Sequence, residues 1–127
     1  MQESGEDYLE TILLLKMRQG YVRAIDIANE MEYSKASISR AVKILKEQNL
    51  VYLDENRMIN FTPEGKEKAE MIYERHRIIT TFLGDFLGVS QEIAEKDACR
   101  IEHVISEETI KAIVEKMAQA GIKVAEK

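Results

Sequence analysis

Between Ala24 and Gln48 two short helical patterns follow one another with almost nothing between them. In the first, over about Ala24–Met31, Ile25, Ile27, Ala28 and Met31 are apolar. In the second, over Lys35–Gln48, Ile38, Val42 and Leu45 recur on one helical stripe. Glu32 and Tyr33 make the tight connection, and Ser34 stands where a small hydroxyl accepts a free backbone N–H at a helix start. Two short helices joined in this way, the second opened by a polar cap, form a helix-turn-helix pattern. The stripe leaves Lys35, Ser37, Ser39, Arg40, Lys43 and Lys46 on the exposed side, and no acidic residue falls from Tyr33 to Lys46.

The flanks extend the pattern. An apolar stripe through Tyr8, Leu9, Ile12, Leu13 and Leu15 predicts a first helix over about Gly5–Arg18, ended by Gly20. After the second short helix come two β-prone runs, Leu50–Leu53 and Met58–Phe61, separated by the polar turn Asp54-Glu55-Asn56-Arg57. A hairpin directly behind a recognition helix is the wing of a winged helix. Thr62-Pro63 then caps and opens a long helix, expected over Pro63–Leu87 with a weak point at Gly84. Ser90 is expected to cap a helix to about Val104, and Ser106 a last one to about Gln119, with a frayed tail from Gly121. The predicted fold is mainly α: a winged helix-turn-helix domain over residues 1–70 with a small β-hairpin, then an α-helical domain over residues 71–127.

Composition removes several function classes. Of the 127 residues 45% are hydrophobic, enough for a core. No apolar run reaches the length of a membrane span, and the acidic first residues are no secretory signal, so a cytoplasmic protein without a membrane partner is expected. The net charge of −5 argues weakly against nucleic acid, but a whole-chain sum hides a local basic face. Nothing resembles a His-Glu-x-x-His site, a phosphate loop or a nucleophile elbow, so no enzyme is expected.

The remaining chemistry lies in a few residues. Cys99, Glu102 and His103 fall at i, i+3 and i+4 and would share a helix face, and all three are metal-ligand types. Asp7 and Glu10 share a face of the first helix, and the other of the two histidines, His76, lies on the long helix. Each taken singly has a plain reading: a solvated acidic face, a small buried cysteine, a surface Glu-His step.

In combination these features resemble the diphtheria toxin repressor family of iron- and manganese-dependent transcription regulators, over nearly the whole chain. Glu6-Asp7-Tyr8-Leu9-Glu10, Gly20-Tyr21-Val22-Arg23 and Asp26-Ile27-Ala28 look like its manganese-sensing branch. Asp97-Ala98-Cys99-Arg100-Ile101-Glu102-His103-Val104-Ile105-Ser106 looks like its iron-sensing branch. Arg75-His76-Arg77, Asn49-Leu50-Val51, and Leu53 through Thr62-Pro63-Glu64-Gly65 match the metal histidine, the wing and the helix after it.

The resemblance implies a metal centre of Asp7, Glu10, His76, Cys99, Glu102 and His103, holding one or two Fe²⁺ or Mn²⁺ ions per subunit. Aspartate at position 7 is the manganese-branch residue and cysteine at 99 the iron-branch residue, so the two signatures are mixed. An ancillary iron-type site is altered, with Glu95 and Thr80 in place of a histidine and a glutamate, although Glu95 remains an oxygen ligand type. The helical half is expected to form a homodimer, and no third, barrel-like domain is expected. The implied partner is double-stranded operator DNA, and the implied role is repression of metal-uptake genes. Lys35, Ser37, Ser39 and Arg40 would face the major groove, with Arg40 suited to a guanine edge and Arg57 at the wing tip suited to the minor groove or backbone. Lys43 and Lys46 would meet phosphates or remain ordinary solvated lysines. The alternative is a winged-helix regulator that does not sense metal and answers to a small ligand or to thiol oxidation at Cys99.

Overall fold

The computed structural model describes residues 3–124, which fall into two compact units divided after Met71. In the first unit α1 (Glu3–Gln19) starts before the expected Gly5 and closes at Gly20, whose left-handed φ of +86° lets its N–H reach the Lys16 carbonyl at 2.9 Å. The Asp26 carboxylate accepts the Arg23 N–H at 2.8 Å and opens α2 (Ala24–Met31). The tight connection is built on Glu32, a non-glycine residue at φ +57°, with the Tyr33 N–H on the Ala28 carbonyl at 3.1 Å. Ser34 Oγ then accepts the Ser37 N–H at 3.1 Å and opens α3 (Lys35–Glu47).

The far end of α3 explains why the wing strands are shorter than expected. Asn49, at φ +60°, turns the chain so that the Leu50 N–H bonds the Leu45 carbonyl and the Asn49 N–H the Lys46 carbonyl, both at 3.0 Å. Leu50 is thereby committed to the helix cap, and β1 is Val51–Leu53. The Met58 N–H is likewise taken by Asp54 Oδ1 at 3.0 Å, so β2 is Ile59–Phe61. The strands pair antiparallel with Val51 opposite Phe61 and Leu53 opposite Ile59. The Ile59 N–H also bonds the Val22 carbonyl at 2.7 Å, tying the wing to the loop before α2.

Thr62 Oγ1 donates to the Asn49 carbonyl at 2.7 Å and accepts the Gly65 N–H at 3.0 Å, fixing the start of α4 (Pro63–Thr81). A Cβ on Gly65 would lie 1.8 Å from the Leu50 carbonyl oxygen, so only glycine permits this approach. The core of the unit takes Leu9, Ile12 and Leu15 from α1, Ile27 and Ala28 from α2, and Ile38, Ala41, Val42 and Leu45 from α3. Each large aliphatic side chain buried in this way contributes about 1.5–3 kcal/mol.

The second unit departs more from expectation. The long helix does not run unbroken to Leu87: after Thr81 the chain forms a five-residue π-helical turn, Phe82–Phe86, with Gly84 at its middle and the Leu87 N–H on the Phe82 carbonyl at 3.0 Å. Ser90 caps α5 (Gln91–Ile101), which stops three residues short of the expected Val104. Arg75 accounts for the early stop, because its guanidinium donates to the Glu102 carbonyl at 3.4 Å and the Ile105 carbonyl at 3.2 Å and so replaces helical hydrogen bonds there.

Ser106 caps α6 (Glu107–Gln119). The tail from Gly121 is not frayed through residue 124. Gly121 is left-handed at φ +76°, the Ile122 N–H bonds the Met117 carbonyl at 2.8 Å, and Ile122 and Val124 pack on the core of Ile78, Ile79, Ala98, Ile110 and Met117. Among the described residues no helix is long and apolar enough to cross a membrane.

Candidate metal centre and nucleic-acid interface

In the first unit the caps of α3 decide which side chains are free to read a surface. Lys35, Ser39, Arg40, Lys43 and Lys46 are exposed. Ser37 departs from the expected exposed position. It is half-buried, and its hydroxyl accepts a hydrogen bond from Ser34 Oγ at 3.0 Å as part of the cap. Sequence reasoning also missed two apolar side chains of this region, Tyr33 and Ile44, which are 51% and 54% exposed. No periodicity argument finds them, since an apolar residue off the core stripe looks like noise.

At the wing tip Arg57 is exposed and held at φ +64°, an uncommon conformation for a residue with a side chain. Asp54 holds that turn: its carboxylate accepts from the Met58 N–H, from the Asn56 N–H at 2.9 Å and from Asn60 Nδ2 at 3.1 Å. The Met58 hydrogen bond foremost keeps the Asp54 carboxyl below its ordinary range, and Lys16 adds to the effect. Lys16 Nζ in turn donates to Asn60 Oδ1 at 2.8 Å, so α1 is pinned to the wing.

On α1, Asp7 is half-buried and Glu10 is buried, three residues apart on one helical face. Between them lies Tyr8, whose ring meets Tyr33 edge-on with centroids 6.2 Å apart and planes at 71°. Burial pushes the Tyr8 phenol above its ordinary value, Tyr33 and Asp7 add to the rise, and Arg40 opposes it.

In the second unit three expected ligands converge. His76 Nδ1 lies 3.1 Å from Glu102 Oε2, and Cys99 Sγ lies 3.9 Å from the same nitrogen. One donor atom from each of the three falls within 4.8 Å of the others. Although α5 closes at Ile101, Glu102 is still helical at φ −58° and ψ −25°, with its N–H on the Ala98 carbonyl at 3.0 Å, so it keeps to the helix face of Cys99. Glu102 is the cap residue and His103 stands in the turn beyond, where its Nε2 comes within 3.4 Å of Glu102 Oε1.

The Glu102 carboxylate is therefore placed between two imidazoles, and it is 1% exposed. Its Oε1 accepts no hydrogen bond among the described residues. A carboxylate so buried is costly without a compensating cation, and a thiol, an imidazole and a carboxylate turned toward one point form a donor set suited to a divalent transition metal. Glu95 is not drawn in: it is exposed and takes a hydrogen bond from Gln91 Nε2 at 3.2 Å. Arg75 was missed as a functional residue. Its guanidinium fixes the turn that carries Glu102 and reaches Glu107 at 3.1 Å, a role that depends on partners about thirty positions away.

Comparison with known proteins bears on both units. Residues 1–58 match the iron dependent repressor N-terminal DNA binding domain, and residues 62–121 match the iron dependent repressor metal binding and dimerisation domain. The transcriptional regulator MntR of Salmonella typhimurium is 35% identical over 120 residues, covering 94% of this chain and 76% of that protein. The chain belongs to the iron-dependent repressor family.

The diphtheria toxin repressor of Corynebacterium glutamicum is 31% identical over 113 residues, covering 89% of this chain and 50% of the repressor. The crystal structure of T. acidophilum IdeR superposes with a TM-score of 0.79 at 26% identity, covering 89% of this chain and 53% of that one. The chain thus spans about half the length of these two proteins. It carries the two domain types of the family, DNA-binding and metal-binding with dimerisation, in the family's order.

Proposed function

We propose that the chain is a metal-activated transcription repressor that binds operator DNA as a homodimer and controls metal-uptake genes in response to Fe²⁺ or Mn²⁺. The observation that carries this reading is the buried Glu102 carboxylate, held between His76 and His103 with Cys99 beside it, inside the stretch that matches a metal binding and dimerisation domain. The proposed ligands are Asp7, Glu10, His76, Cys99, Glu102 and His103, for one or two ions. The first two rest on the family resemblance and on their shared face of α1.

A bound divalent ion would supply the positive charge that lets several carboxylates approach one another. Glu102, His76, His103 and Cys99 would hold it, the imidazoles in their neutral form and the cysteine as thiolate. Arg75 holds the turn beneath Glu102. In the DNA-binding unit Lys35, Ser39 and Arg40 face the base edges and Arg57 the backbone or minor groove, with Ser37 serving the cap first. A ligand that binds the DNA-competent arrangement better shifts the population towards it. In a dimer the two recognition helices would then meet half-sites about 34–36 Å apart.

The donor set of three carboxylates, two imidazoles and one thiol suits both ions. The thiol tips it towards Fe²⁺, since softer ligands and the general affinity order both favour iron over manganese. The test is operator binding with and without a chelator. Binding lost on chelation and restored by Mn²⁺ or anaerobic Fe²⁺ is the expected result. Binding indifferent to chelator and to both metals would overturn the reading.

A further inference from the structure

We infer that the Tyr8–Tyr33 ring contact is the joint through which occupancy at Asp7 and Glu10 sets the position of the recognition helix α3. The inference rests on the functional reading above and adds to it how α1 addresses α3.

At about 100° per residue, Asp7 and Glu10 lie within about 60° of each other around α1. Tyr8 lies roughly 100° away from Asp7 and roughly 160° from Glu10. The same helical turn therefore offers carboxylates on one side and an aromatic ring on another. That ring meets Tyr33, one residue before the α3 cap. The spacing of 6.2 Å and the angle of 71° are those of a favourable edge-to-face pair, which is directional in a way that aliphatic packing is not.

Tyr33 is held at its backbone on both sides. Its N–H is bonded to the Ala28 carbonyl, and Ser34 after it caps α3 through the Ser37 N–H. A rotation of α1 that carries Tyr8 cannot leave the Tyr33 ring in place without giving up the edge contact, and the Tyr33 backbone leads directly into the capped first turn of α3, which carries Lys35. Tyr33 has no other evident reason for its place: it is 51% exposed, off the core stripe, and directly before a cap that needs only Ser34.

Tyr8 and Tyr33 are positioning residues, so the test must read coupling and not binding alone. A duplex selected from a random library against the Mn²⁺-loaded protein serves as probe, and Mn²⁺ as metal. The measured quantity is the ratio of duplex affinities at saturating Mn²⁺ and in chelator, which cancels any direct effect of Tyr33 on DNA. Mn²⁺ affinity without DNA is measured by calorimetry.

Y8L and Y33L are expected to lower the ratio about threefold to tenfold, the factor such an aromatic pair is worth. Mn²⁺ affinity without DNA should stay at the parental value. The double variant should lose no more than either single one, and Y8F and Y33F should keep the parental ratio. By reciprocity, the duplex should tighten Mn²⁺ binding less in Y8L than in the parent. Y33L, changed at an exposed site, keeps the test open if Y8L folds poorly.

A parental ratio in both leucine variants, additive losses in the double variant, or phenylalanine variants as impaired as the leucine ones would overturn the joint and leave the functional reading standing. A parent whose affinity ignores Mn²⁺ would overturn the functional reading and the joint with it.

Discussion

In the first unit the residues proposed to meet DNA stand in solvent, and in the second the Glu102 carboxylate is drawn inward, with His76 and His103 half-buried and Cys99 at the surface. Lys35, Ser39, Arg40 and Arg57 are exposed, while Glu102 is 1% exposed and faces two imidazoles. The contrast follows from what each surface has to bind. Phosphates and base edges come to the protein from outside, and a helix presents side chains to them at no cost to its own core. A divalent ion needs several ligands at short range, which places like-charged and polar groups close together out of water. Substitutions in the first unit should therefore alter recognition and leave stability alone, whereas substitutions at the ligand cluster should trade one against the other.

The strongest way to break this comparison is Glu102→Ala. Metal affinity should fall by about 100-fold or more, beyond the 10–100-fold typical of residues that merely support a ligand. Metal-stimulated operator binding should vanish while the chain stays folded and dimeric. Without metal its melting temperature should equal or exceed the parent's, since a buried carboxylate has been removed. A metal-free variant clearly less stable than the parent would show Glu102 to be structural, and the two units would no longer differ in kind.

The surface side of the comparison predicts smaller, separable effects. Arg40→Ala should lose roughly 1–3 kcal/mol at its preferred base pair and relax specificity there. Lys46→Ala should weaken all sequences about equally and lower the salt slope by about one. Both should melt with the parent. Identical behaviour across mutated operators would place α3 in a different register.

Cys99→Glu sharpens the ligand side. A hard carboxylate in place of the thiol should shift preference towards Mn²⁺ over Fe²⁺ by about tenfold on affinity grounds of ligand softness. Titration with both metals under anaerobic conditions checks this, and an unchanged preference would leave Cys99 outside the ligand set.

The smallest effect concerns the wing. The Asp54 carboxyl is depressed chiefly by the Met58 N–H, so its contribution to the turn is present above the ordinary aspartate value near 4 and is lost as pH falls through the depressed one. The Met58 amide resonance should shift with a midpoint below about 4, and Asp54→Asn should abolish that transition.

Much of the first unit was legible because its signals are local. Ser34, Gly20 and Thr62-Pro63 act within a few residues, and the predicted α2 and the start of α3 agree with the structure. The wing strands came out one residue short at their starts because Leu50 and Met58 spend their N–H groups on a helix cap and on Asp54. Ser37, expected to be exposed, is half-buried for a related reason, since its hydroxyl answers Ser34.

In the second unit the local rules reached less far. Ser90 and Ser106 marked where α5 and α6 begin. The break at Phe82–Phe86 had a sequence cue only in Gly84, and the early end of α5 had none, because Arg75 reaches it from another helix.

The sequence by itself determined the helix starts from α2 onward, the core stripes and the residue types of the ligand set, since capping, periodicity and donor chemistry act over a few residues. Tertiary structure alone decided that Glu102 would be buried against His76, that Cys99 Sγ would come within 3.9 Å of His76 Nδ1, and that the tail through Val124 would pack on the core. Each of those outcomes depends on groups far apart in the chain, whose approach is set by packing and by hydrogen bonds that no local pattern encodes.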